Sequence, residues 1–275
     1  MNILREVQVK PFSRMVWKGQ ENKNIWADSI AICSQQVQEL EIKTVLANLR
    51  KCSWRTIREE NLPEFSEQMG NIGLIVLPVK YVGVWEGFSH VTQPIKPGQP
   101  KMVYCIISSK KEDAFGFRNA FENNEIAAQG HYLGYPRCCS EWFQEQYSNG
   151  IPDPIWQAAQ NSIHDMDGEN KILLDFKMIH PLSNPLLRYE GIRVSFHIPC
   201  SFHCKETIEI AEKQLNLINI VHRKILERLL MMNMKWSALH GIGIVETPIF
   251  ISNFNTIPTA EKYEVKLMNG YIPGE

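Results

Sequence analysis

Residues 196–206 read Phe196-His197-Ile198-Pro199-Cys200-Ser201-Phe202-His203-Cys204-Lys205-Glu206. Upstream, residues 188–198 alternate in the manner of a strand, and Pro199 ends that pattern. Downstream, Ile208, Ala211, Leu215, Ile218, Val221, Ile225, Leu229 and Met232 recur at helical spacing. That recurrence predicts one long helix over residues 206–234, after the second cysteine motif and about 40 Å in length. A strand emptying into a helix, in a chain without regular strand–helix alternation, points to an α+β fold. The expected architecture is a mixed sheet packed with helices.

The same reading extends outward. Residues 25–58 carry an approximate helical stripe through Ile25, Ile32, Val37, Leu40, Val45, Leu46 and Leu49. Residues 72–85 and 102–108 read as strands, the first bent at Pro78 or Gly83. Residues 110–129 read as a helix stopped by Gly130, and Gly134-Tyr135-Pro136 as a turn opening another. Strands are further expected at residues 6–12, 171–178 and 239–252. The change in character near Ser108 suggests an N-terminal α+β lobe over residues 1–110 and a cysteine-motif lobe over 111–275, or one continuous domain.

A chain of 275 residues with 44% hydrophobic and 21% charged residues is globular, not disordered. Lys plus Arg number 29 against 30 Asp plus Glu, a net charge of −1, so nothing favours nucleic acid as the main partner. No apolar run reaches the roughly 20 residues of a membrane span. Arg5, Glu6 and Lys10 stand where a signal peptide needs apolar residues, so a cytoplasmic location and a small-molecule substrate are the expectations.

Seven cysteines without an export signal argue against a disulfide framework. Cys33, Cys52 and Cys105 stand alone and read as small buried hydrophobes. The other four fall in two motifs of shared design. One is Leu133-Gly134-Tyr135-Pro136-Arg137-Cys138-Cys139, and the other is the stretch from Pro199 to Cys204. In each, a proline precedes cysteine at an expected helix start, where free N–H groups and the helix dipole favour thiolate. Cys138, Cys139, Cys200 and Cys204 are therefore the candidate metal ligands.

Neither motif is a Cys-x-x-Cys hook, which disfavours a simple zinc ribbon. Vicinal side chains diverge by about 100° on a helix, so three ligands are easier to build than four. An iron–sulfur cluster with an open position fits that count, and zinc fits nearly as well. His197 and His203 are the candidate proton-transfer groups or alternative ligands, with His131 and His240 as outer candidates. Glu141 and Glu206 read as ordinary first-turn acids, and Trp236 as core.

The Leu-Gly-Tyr-Pro-x-Cys-Cys stretch at 133–139, the Pro-Cys-Ser-x-x-Cys stretch at 199–204 and the segment 236–241 resemble an uncharacterised prokaryotic family. The resemblance covers roughly residues 125–250 and implies a common site without naming a reaction. Three functions remain open from the residues. They are a metal- or iron–sulfur-dependent enzyme, a zinc-stabilised binding module and a thiol oxidoreductase.

Overall fold

The computed structural model describes residues 3–8, 13–83, 94–148, 154–162, 172–175, 179–239, 242–255 and 262–267. Three antiparallel sheets and eight helices make up the described residues, an α+β architecture as expected.

The first sheet pairs β1 (Ile3–Gln8) with β10 (Lys262–Leu267). The second has five strands. It runs from β2 (Ser13–Trp17) through β9 (Phe250–Asn255), β8 (Ile242–Glu246) and β7 (Lys235–Leu239) to β6 (Ile172–Asp175). The third places β5 (Met102–Ser108) between β3 (Cys52–Arg58) and β4 (Ile75–Val82). β5 is buried on both faces. Its alternation sends Ile106 to the core holding Phe117 and Leu133, and Ile107 to the core holding Ile42 and Val45. The register shift expected near Pro78 occurs between Pro78 and Lys80.

Helix α1 (Gln20–Leu46) is the longest element and serves two cores. Ile30, Cys33, Val37 and Leu40 pack with Leu186, Phe202, Trp236 and Phe250, while Ile42 and Val45 pack under β5. Residues on both sides of position 110 thus share a core, and β2 pairs directly with β9. The remaining helices are α2 (Leu62–Asn71), α3 (Lys111–Glu122), α4 (Ile126–Tyr132), α5 (Arg137–Ser148), α6 (Pro154–Gln160), α7 (Lys205–Leu215) and α8 (Ile220–Leu230).

Several expectations need correction. The single long helix is two helices of 11 residues each, α7 and α8. The break holds Asn219, whose side chain accepts from the Val221 N–H and starts α8 afresh. Ile218 is buried across the break, so the apolar rhythm continues while the backbone does not. The helix expected to Arg58 stops at Leu46, where Asn48 takes a left-handed conformation (φ 55°), and β3 follows. The helix expected over 110–129 is α3 plus α4, and Gly130 lies inside α4. Segment 188–198 pairs with no strand among the described residues. A 3-10 turn at Arg188–Glu190 is followed by irregular chain in which Ile192, Val194, Phe196 and Ile198 still turn inward. Trp236 is fully buried as expected, but on β7 rather than at a helix end. Cys33, Cys52 and Cys105 are all fully buried, and burial raises their thiols to about 11, 12 and 11.

Candidate metal centre

The first motif is a turn between α4 and α5. Leu133 enters the core beneath β5, and the Gly134 backbone is left-handed (φ 68°). A Cβ on Gly134 would lie 2.8 Å from the Leu49 carbonyl oxygen and 3.2 Å from the Arg50 Cα. Only glycine fits between this turn and the chain after α1. Arg50 locks the contact by donating from Nε to the Leu133 carbonyl at 2.7 Å. Pro136 then opens α5, with its carbonyl accepting from the Ser140 N–H at 3.0 Å, and this sets Cys138 and Cys139 in the first turn.

The second motif is held from outside. Asn161 donates to the Cys200 carbonyl at 2.9 Å, and Ser162 Oγ accepts from the Phe202 N–H at 2.7 Å. The Phe202 carbonyl accepts from the His180 N–H at 3.1 Å. Cys204 is the N-cap of α7, while Cys200 lies in the loop before it rather than in a helical turn. That corrects the expected placement of Cys200.

The two motifs meet. All four sulfurs of Cys138, Cys139, Cys200 and Cys204 lie within 4.8 Å of one another, a group that could hold a metal ion. Cys204 Sγ is 3.6 Å from both Cys138 Sγ and Cys139 Sγ, which are themselves 3.8 Å apart. The expectation that one vicinal thiol turns away is not met. Diverging Cβ directions are overcome by rotation about χ1, which brings both sulfurs to Cys204.

Four thiols this close cannot all ionise. Hydrogen bonds from the Cys139 and Cys200 thiols hold Cys204 well below the ordinary range. Cys139 is pushed up by its hydrogen bonds with Cys200 and Cys204 and by burial, and Cys138 by burial and then Cys204. The Cys200 N–H donates to Cys139 Sγ at 3.3 Å. Glu206 Oε2 lies 3.4 Å from Cys138 Sγ and 3.5 Å from Cys204 Sγ.

The sequence-selected histidines separate. His197 is not among the clustered donors. Its Nε2 is 2.9 Å from Thr207 Oγ1, which lies 3.4 Å from Cys139 Sγ. Enclosure lowers His197 to about 4, so it is neutral at physiological pH. His203 is exposed on the motif loop and is not among the clustered donors. His131 is exposed and faces Lys51, with Nε2 2.9 Å from its Nζ. His240 lies outside the described residues.

Beside the cysteines is a cavity of about 250 Å³, whose wall includes Cys139, Ser140 and His197. Arg50, Arg188 and Arg193 also face it. Two of them stand over the Phe196 ring, with the Arg50 and Arg193 guanidinium carbons 4.9 and 5.6 Å from its centre. Sequence reading missed these arginines and Thr207. Each stands singly without a motif, and only the fold brings them together. Compared with protein-family models, curated proteins and solved structures, the chain matches none. Among the described residues, no helix is long and apolar enough to cross a membrane.

Proposed function

We propose that Cys138, Cys139, Cys200 and Cys204 hold one zinc ion, and that the protein is a zinc-stabilised small-molecule-binding protein. The sulfur spacing carries this reading. Zinc–sulfur bonds of about 2.3 Å in a tetrahedron put neighbouring sulfurs about 3.8 Å apart. Three of the pairs here stand at 3.6, 3.6 and 3.8 Å. A multi-iron cluster divides the thiolates among two or more irons, which spreads some of the sulfurs further. The alternative of a thiol oxidoreductase calls for one privileged pair, whereas Cys204 is equidistant from two partners.

In this reading the ion fastens the α5 start to the loop before α7, and so fixes the cavity wall that carries Cys139 and His197. The zinc would supply cross-linking energy and no redox chemistry. His197 and Thr207 support it from outside. An Nε2–H on His197 donates to Thr207, freeing the Thr207 hydroxyl to donate to the Cys139 thiolate. The Cys200 N–H adds a second donor to the same sulfur.

A metal-dependent enzyme is the second reading, and one observation favours it. Cys138 and Cys200 are only half-buried, and Glu206 is close enough to replace a thiolate. An ion that exchanges a ligand there could act as a Lewis acid.

Metal and sulfide analysis of anaerobically purified protein tests both. One zinc per chain without sulfide is expected, and Cys→Ser replacement at any of the four positions should lower it. Full zinc retention after replacing two of them would overturn the four-thiolate site. Iron with acid-labile sulfide would replace it with a cluster.

A further inference from the structure

We infer that the cavity beside the cysteine cluster binds a small oxyanion, a carboxylate or phosphate carried on a compact apolar body. Arg50 is 3% exposed, and its Nη1 is buried without a hydrogen-bond partner. Its Nε is taken by Leu133, so the unused nitrogen belongs to a side chain already fixed in place. Arg193 Nε is likewise buried and unpartnered. Arg193 lines the cavity, and its side chain keeps 21% accessibility. Ser140 Oγ, on a residue 7% exposed, is a third buried polar atom of the cavity wall without a partner.

Charge points the same way. Three arginines face the cavity against one carboxylate, Glu41. Glu41 is divided between Arg193 at 3.6 Å and Arg55 at 4.0 Å. Guanidinium charge therefore exceeds carboxylate charge in the cavity wall. Buried guanidinium groups keep unused donors at a cost, which an incoming oxyanion removes by accepting from them. Guanidinium forks match the two oxygens of a carboxylate or phosphate. Around this polar end the walls are Phe196, Leu133, Trp54 and Phe143, suited to an apolar body.

The inference rests on the cavity and not on the identity of the metal. The test uses the full chain as purified, with its metal content measured in parallel. Benzoate and phenyl phosphate are the oxyanion probes, and benzyl alcohol is the uncharged control, each titrated by calorimetry and by thermal midpoint. At least one oxyanion should saturate and raise the midpoint, while benzyl alcohol should not. Arg50→Met should weaken that probe by about tenfold or more. Arg193→Met is tested alongside, because loss of the Arg50–Leu133 bond can disturb folding; it should weaken the same probe by a similar factor. Failure of both oxyanions to bind, equal binding of benzyl alcohol, or full affinity in the Arg193→Met protein would overturn the inference. Loss of metal with retained probe binding would count against the zinc reading alone.

Discussion

Replacing Gly134 by alanine isolates how the first motif is held against the rest of the chain. Two costs arise. An L-residue held at φ 68° costs roughly 1–2 kcal/mol. The new Cβ also meets the Leu49 carbonyl oxygen at 2.8 Å and the Arg50 Cα at 3.2 Å, both backbone atoms that no rotamer change moves. Forced backbone shifts of this kind cost about 1–3 kcal/mol more. Gly73 supplies the control, because its φ is 81° but a Cβ there meets nothing within 4 Å. Gly73→Ala should therefore cost the conformational part alone, and Gly134→Ala about 2–5 kcal/mol in total. Urea unfolding of both variants against the parent, with metal content measured before denaturation, provides the comparison. Gly134→Ala should also bind metal less tightly, since the turn it displaces positions Cys138 and Cys139. Equal destabilisation by the two substitutions would show that the close approach at Gly134 is not what holds the turn.

Three further outcomes are expected. Burial raises the Glu190 carboxyl to about 7, partly offset by its hydrogen bond with Ser252. Ionising it therefore costs the folded state: stability is fully retained below about pH 4.5, then falls by about 3 kcal/mol as pH rises to about 7, and stays lower above that. Glu190→Gln should thus match the parent near pH 4.5 and exceed it at pH 8 in urea unfolding; a gap that does not widen with pH would refute the assignment. Thr207→Val removes the hydroxyl between His197 and Cys139 and should weaken metal binding about 10–100-fold in chelator competition, with Thr207→Ser restoring it. Single Cys→Ala changes at Cys33, Cys52 and Cys105 should leave metal content intact and cost about 1–2 kcal/mol, and loss of metal from any of them would redraw the ligand set.

The cysteine motifs were legible because their chemistry is local. A proline closely followed by cysteine can be recognised from a few residues, and both motifs reach the site, although Cys200 does so from a loop and not from a helix start. The α7–α8 break was not legible, because Leu215, Ile218 and Ile225 keep in step across it while Asn219 restarts the helix. Segment 188–198 shows the converse. Its inward residues do alternate, but that pattern reports burial, and strand pairing depends on a partner that the sequence does not name. β3 was missed because Arg55 and Arg58 interrupt its apolar pattern; they sit on a strand whose pairing partner is β5, 50 positions away in register at Arg55–Cys105. The cavity arginines come from two separate segments, Arg50 after α1 and Arg188 with Arg193 in residues 188–198, and carry no spacing signature. Only the fold shows that they converge.

X-ray absorption at the metal edge of the anaerobically purified chain tests the central claim most directly. A single zinc per chain with four sulfur neighbours at about 2.3 Å and no metal–metal distance is the predicted result. A shell containing two or more nitrogen or oxygen ligands, or an iron–iron distance with inorganic sulfide, would contradict it.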